Sequence, residues 1–205
     1  MSGKEVTVVD LGMGNLRSVA RALERAGGVP RVTGEPARIA AAERLVFPGQ
    51  GHFGGCSVAL ASGAGDALRA FLETGRPYLG ICLGMQALFG ASEEAPEARG
   101  LGVLPGEVRR LVPAPGAGRL SVPHVGWNAL QSRDRRLDGR WYYFVHSYVC
   151  VPADEGLVAA RADHGGAFCA AVARGPLLAV QFHPEKSGAE GQALLESFVG
   201  GAAWS

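Results

Sequence analysis

The chain has 205 residues, 47% of them hydrophobic and 19% charged, with a formal net charge of +1. That length suits one ordinary domain over residues 1–205, the balanced composition excludes a disordered tail, and the near-neutral charge argues against phosphate-driven binding to nucleic acid. The opening MSGKEVTVVD breaks its apolar character too early for a signal peptide, and no run approaches the roughly 18 apolar residues of a membrane span, so a cytoplasmic protein is expected.

The first half alternates short β-branched runs with helical stretches. Glu5–Asp10 reads as a strand, and Asn15–Ala26 as an amphipathic helix with Leu16, Val19, Ala20 and Leu23 on one face. Arg44–Phe47 reads as a strand, Cys56–Glu73 as a helix, Pro77–Ile81 as a strand and Met85–Phe89 as a helix. Such alternation indicates a parallel sheet covered on both faces. After about Gly100 the texture changes to strand-like runs punctuated by Pro and Gly, at Val108–Val112, Trp141–Cys150, Gly156–Arg161, Phe168–Ala173 and Leu177–Phe182. This second half is expected to be antiparallel or mixed, with a closing helix over Ala189–Val199. The segment Val112–Gly118 reads as a loop and Arg133–Arg140 as a solvated, charged turn. The expected fold is an α/β open three-layer sandwich, flavodoxin-like, around a mostly parallel sheet. Its functional loops should lie at the carboxyl ends of the parallel strands.

Four cysteines, Cys56, Cys82, Cys150 and Cys169, lack CxxC spacing and paired histidines, so neither a zinc site nor a disulfide framework is indicated. Cys82 stands out by its neighbours. In GICLGMQ (Gly80–Gln86) an apolar strand enters Gly-x-Cys-x-Gly and then a helix, the spacing of a nucleophile elbow with cysteine in place of serine. Gly80 and Gly84 let strand and helix approach while Cys82 takes the strained turn, and a helix amino terminus favours thiolate. A lone cysteine is ordinarily a small buried residue, but such a residue needs neither flanking glycine.

QFHPEKS (Gln181–Ser187) ends an apolar strand with His183, a strand-stopping Pro184 and Glu185, a base and a carboxylate able to orient it. By itself His-Pro-Glu equally suits a capped turn. FPGQGHFG (Phe47–Gly54) is a tight glycine loop after a strand, able to turn backbone N–H groups outward as an oxyanion hole requires, though alone it reads as an ordinary turn.

PGQG, GICLGMQ and QFHPE, in this order and at these separations, resemble the class I (triad-type) glutamine amidotransferases. Within that class the chain most resembles the glutaminase subunits of imidazole glycerol phosphate synthase, from VVDLGMGNLRSV through HPEKS. PHVGWN (Pro123–Asn128) and YFVHSY (Tyr143–Tyr148) carry that finer likeness. The resemblance implies Cys82 as nucleophile, His183 as general base and acid, Glu185 as its orienter, and an oxyanion hole from Leu83 and the Gly49, Gln50, Gly51 loop. It implies that Gln86, Glu94, Ser147 and Tyr148 hold substrate glutamine, with Glu94 suited to the α-ammonium. It further implies an interface with a (β/α)8-barrel cyclase subunit, to which Asn15, Trp127, Asn128, Tyr143 and Lys186 would contribute. No metal or organic cofactor is implied.

Two positions depart from the family pattern. Gln50 stands where an aliphatic residue is usual, and Leu11 stands where Asp-Tyr-Gly usually has its tyrosine. The remaining histidines, His52, His124, His146 and His164, lack ligand spacing and read as turn or interface residues, His164 in a hairpin turn. Trp127 and Tyr143 also suit core aromatics. A dinucleotide-binding reading of Gly12-x-Gly14 fails at Arg17. An amidotransferase subunit serving another acceptor is the closest rival, and an inactive binding subunit the non-enzyme one; the intact Cys82, His183 and Glu185 set opposes the latter.

Overall fold

The computed structural model describes residues 3–114, 116 and 120–204. Four βα steps open the chain. Strand β1 (Lys4–Val9) leads to α1 (Leu16–Arg25), β2 (Gly28–Thr33) to α2 (Pro36–Ala41), and β3 (Leu45–Gly49) to α3 (Phe53–Ala59) and α4 (Gly65–Glu73). Strand β4 (Tyr78–Cys82) runs directly into α5 (Leu83–Gln86). There follow β5 (Gly106–Arg110), β6 (His124–Ala129), β7 (Gln131–Ser132), β8 (Trp141–His146), β9 (Tyr148–Pro152), β10 (Val158–Asp163), β11 (Ala167–Arg174), β12 (Leu177–Val180) and α6 (Gly188–Gly200).

The main sheet has the order β2-β1-β3-β4-β12-β11-β10-β7, with β9 pairing both β11 and β5. Neighbours from β2 to β12 are parallel, and β12 to β7 antiparallel. Side chains alternate between its faces with the period of two that a strand imposes. Val6, Val8, Val46, Leu79, Ile81, Leu178 and Val180 join α1 and α6 in one core. Val9, Leu45, Phe47, Tyr78, Leu177 and Ala179 join α2 to α5 in the other. Helices on both faces make the expected three-layer α/β sandwich. No helix of the described residues is long and apolar enough to cross a membrane.

Several element boundaries differ from expectation, each for a local reason. Strand β2 and helix α2 come from GVPRVTGEPARIAA, a stretch that holds none of the elements expected from the sequence. Pro30 is tolerated because β2 is an edge strand, and Pro36 sits in the first turn of α2, where a missing N–H costs nothing. The single helix expected over Cys56–Glu73 is two helices, starting at Phe53 and joined by a wide turn at Leu60–Ala64, where Gly63 takes φ +95°. The strand expected over Trp141–Cys150 is two strands meeting at Ser147: β8 pairs with β6 in a separate antiparallel ribbon, and β9 joins the main sheet. The helix expected over Met85–Phe89 begins earlier, at Leu83. Arg133–Arg140 is less solvated than its charges suggest, because Leu137 is buried and Asp134 is buried against Arg136, which stacks on Trp204. Part of the loop read at Val112–Gly118 lies outside the described residues.

Candidate active site

Three adjacent parallel strands, β3, β4 and β12, deliver Gly49, Cys82 and His183 to one end of the sheet, with Gly49 directly beside Cys82 in register. Cys82 takes φ 53° and ψ −104°, the only non-glycine residue with positive φ among those described. Such a conformation costs on the order of 1–3 kcal/mol and persists only where the surroundings enforce it. Here the enforcement is steric. A Cβ on Gly84 would stand 1.9 Å from the Phe47 carbonyl oxygen, and one on Gly80 would stand 2.7 Å from the Gly84 oxygen. The Tyr78 hydroxyl, fully buried, donates to that same Gly84 oxygen at 3.0 Å. Because α5 is a single turn, few peptide dipoles align behind Cys82. The helix-terminus potential expected there is correspondingly small, leaving the local N–H groups of the elbow.

His183 is fixed on both sides of its backbone. Its N–H donates to Tyr143 O at 2.9 Å, and its carbonyl accepts from Ser187 Oγ at 2.6 Å, while that hydroxyl accepts from Tyr143 N at 3.0 Å. Pro184 then stops the strand and starts a tight 3-10 turn, which folds Glu185 back beside the imidazole. Nδ1 of His183 lies 2.8 Å from Glu185 Oε1, with both side chains 2% exposed. Nε2 of His183 and Oε2 of Glu185 make no hydrogen bond. Burial opposes charge on this imidazole, but the Cys82 sulfur and the Glu185 carboxylate outweigh it and push the His183 pKa up to about 9. The imidazolium, with Nδ1 bonded to Glu185 and Nε2 free, is therefore the dominant form at neutral pH.

Gln50, Gly51, Cys82, Leu83, Gln86, Glu94, Ser147, Tyr148 and Lys186 line one cavity of about 370 Å³, together with Val145 and His146. Ser147 and Tyr148 reach it because the chain changes sheets between β8 and β9. Glu94 spends one carboxylate oxygen on the Phe53 N–H at 2.7 Å, so it caps the start of α3 as well as facing the cavity. Leu11 is half-buried beside the core on the α2 to α4 side. Of the residues expected at an interface, Trp127 and Tyr143 pack edge to face on the outer side of the β6–β8 ribbon, with Trp127 51% exposed. Lys186 is exposed at the cavity. Asn128 instead turns its amide inward to Asp163 O at 2.6 Å. Asn15 caps α1 through Ser18 N at 3.2 Å.

The structure brings in residues that sequence reasoning left unassigned. Gln181 is 0% exposed and donates from Nε2 to the Cys82 sulfur at 3.4 Å, while its Oε1 accepts from Gln86 Nε2 at 3.2 Å. An isolated polar residue at the end of the apolar strand LLAVQF was the available signal, since a buried amide must find partners. His124 and His146 form a buried pair with ring nitrogens 3.1 Å apart, and His164 stacks on His124 at 4.1 Å. The alternation in WYYFVH puts His146 on the inward face with Tyr142 and Phe144.

Burial first, and then repulsion from His164, lowers His124 to about 4; burial likewise carries His146 to about 3, a hydrogen bond to Tyr148 O opposing it and the neighbouring histidines adding to it. Both are lowered from 6.5, so the unfolded chain binds protons that the folded chain refuses. Their contribution to stability is complete above pH 6.5 and declines as pH falls towards about 4. The raised His183 acts in a separate window, its contribution present below pH 6.5 and lost as pH rises through about 9. Urea unfolding is therefore expected to show lower stability at pH 5 than at pH 7, and His124→Phe should flatten that dependence. Equal stability of the native chain at the two pH values would refute it.

The model of the family "Glutamine amidotransferase class-I" matches residues 7–201. An imidazole glycerol phosphate synthase subunit HisH of Rhodopirellula baltica is 46% identical, covering 95% of this chain and 96% of that protein. The subunit of that name in Deinococcus radiodurans is 50% identical, covering 95% and 92%. Among solved structures, one described as a glutamine amidotransferase superposes with a TM-score of 0.75 at 25% identity, covering 96% of this chain and 97% of that chain. PurLQS from Thermotoga maritima also gives 0.75, at 20% identity and 97% and 98% coverage, a likeness of fold. The chain belongs to the class-I glutamine amidotransferase family, among the HisH subunits of imidazole glycerol phosphate synthase.

Proposed function

We propose that this chain hydrolyses glutamine to glutamate and ammonia, and that a (β/α)8-barrel cyclase subunit consumes the ammonia in forming imidazole glycerol phosphate. The observation that carries the reading is Cys82, strained in the wall of a cavity beside an imidazolium held by a buried carboxylate. The Cys82 thiolate attacks the carboxamide carbon, and the backbone N–H groups of Leu83 and of the Gly49–Gly51 loop hold the oxyanion. As the C–N bond breaks, Nε2 of His183 gives its proton to the nitrogen, which leaves as ammonia. The neutral imidazole then takes a proton from water, hydroxide attacks the γ-glutamyl thioester, and the thiolate departs. A carboxamide is a poor electrophile, which is why nucleophile, acid and oxyanion donors are all required.

Glu94 keeps one oxygen uncommitted for the substrate ammonium, and Gln86, Ser147 and Tyr148 line the remaining cavity. The outer face of the ribbon, with Val125, Trp127 and Trp141 each about half exposed, suits an apolar partner surface, and Lys186 at the cavity mouth suits an acidic one. The four free thiols suit a reducing, cytoplasmic setting. The test mixes this chain with the barrel subunit and its ribonucleotide substrate, glutamine being the sole nitrogen source. Product formation is expected, and glutamate release should be slow for the chain alone and rise when the liganded barrel is added. No product would overturn the assignment of partner; equal glutamate release in both cases would overturn gating by it.

A further inference from the structure

Two hydrogen-bonded arms meet at the carbonyl of Tyr148. That oxygen accepts from Gln86 Nε2 at 3.3 Å and from His146 Nδ1 at 3.0 Å. Since a carbonyl can only accept, both partners are oriented by it. Gln86 must point its amide nitrogen inward, and the second hydrogen of that nitrogen goes to Gln181 Oε1. Gln181 is thereby prevented from flipping, and its own nitrogen faces the Cys82 sulfur. On the other arm, a neutral His146 with hydrogen on Nδ1 leaves Nε2 bare to accept from His124 Nδ1 at 3.1 Å. His124 then has a bare Nε2, met by Asn128 Nδ2 at 3.5 Å, whose amide also donates to Asp163 O. Every donor in this run has an acceptor with both histidines neutral, the form that burial imposes on them.

We propose that Gln181 is a positioning residue of the hydrolysis, holding the Cys82 sulfur in its nucleophilic thiolate form, and that Gln86 orients its side chain from the Tyr148 carbonyl, which the His124–His146 pair of the β6–β8 ribbon anchors. The proposal rests on Cys82 being the nucleophile. A hydrogen bond donated by the amide to the sulfur stabilises thiolate over thiol. The other titratable groups around the sulfur are His183 with Glu185 behind it, Cys150 from β9, and Glu94, His146, Tyr148 and Lys186 around the cavity. None of them contacts Gln181 through a hydrogen bond, so a change at Gln181 reads out on the thiol through the bond it makes. The same run begins at Asn128, the chain neighbour of exposed Trp127, on the inner face of the ribbon.

The experiment measures the rate of Cys82 alkylation by iodoacetamide against pH in the full chain, with mass spectrometry identifying the modified residue. Gln181→Met keeps the volume and removes the donor, and the midpoint of the rate profile is expected to rise by about one pH unit, a tenfold loss of thiolate below it. His146→Phe should raise it by less, and the double variant should match Gln181→Met alone, because both act through one bond. Thermal melting reports folding separately, and a merely structural role would lower the melting temperature without moving the midpoint. If Gln181→Met does not fold, Gln86→Met removes the group that orients Gln181 and carries the same expectation. An unmoved midpoint in a folded Gln181 or Gln86 variant overturns the proposal, and an unmoved midpoint in His146→Phe overturns its extension to the ribbon. Glutamine hydrolysis by the alkylated chain would refute the nucleophile itself, which keeps the two failures apart.

Discussion

Cys82→Ala is expected to lower glutamine-dependent turnover by roughly 10⁴-fold or more, the scale on which removing a covalent nucleophile acts. An ammonium salt supplied to the assembled enzyme should still support the partner's chemistry, because ammonia bypasses the thioester. The choice of this thiol over the other three follows from their environments. Cys56, Cys150 and Cys169 are buried, and burial pushes Cys56 and Cys169 up to about 12 and Cys150 well above its usual range. Such thiols are inert at neutral pH. Only Cys82 faces the cavity, and it alone has an imidazolium beside it. Conservative replacement of the other three should leave hydrolysis within a few-fold. Cys82→Ser is a stricter probe, since it keeps volume and hydrogen bonding but needs a far stronger base to ionise. Residual glutaminase activity in the alanine variant comparable to that of the native chain would remove Cys82 from the mechanism.

The parts of the molecule that were legible in sequence are those where local chemistry and tertiary role coincide. Gly-x-Cys-x-Gly announces a strand that turns sharply into a helix because any side chain at Gly84 would meet the Phe47 carbonyl. His-Pro-Glu announces a strand end because proline cannot continue a ladder. Both signals are short-range. The ribbon formed by β6 and β8 was not legible as a separate sheet, since nothing local at Ser147 says that the strand before it pairs with β6 and the strand after it with β5 and β11. The break between α3 and α4 needed the left-handed turn at Gly63, which a helical pattern of apolar residues conceals. The histidines were read singly as turn or interface residues; His124 and His146 are neighbours only through strand pairing 22 residues apart in sequence. The same holds for Gln181, whose partners Gln86 and Cys82 come from a different βα step.

His183→Asn is expected to leave the chain nearly inactive, with Glu185→Gln impaired by one to two orders of magnitude less, on the scale known for a catalytic base and its orienting carboxylate. The asymmetry follows from what each group does in the reaction. His183 exchanges a proton twice, first with departing ammonia and then with water, and asparagine can do neither. Glu185 never takes the proton. It fixes Nδ1 at 2.8 Å so that Nε2 faces Cys82, and its negative charge favours the imidazolium. Glutamine at position 185 keeps an oxygen for Nδ1–H but loses the charge. The imidazole pKa, about 9 in the native chain, should then fall part of the way towards 6.5, with the thiolate continuing to hold it up. Since the imidazolium is the proton donor to the leaving nitrogen, its loss at lower pH moves the alkaline limb of the kcat profile downward, while the limb set by formation of the thiolate moves less. A pH profile of Glu185→Gln with its alkaline limb unmoved would deny the carboxylate its electrostatic role. Greater damage from Glu185→Gln than from His183→Asn would show that the two roles are assigned the wrong way round.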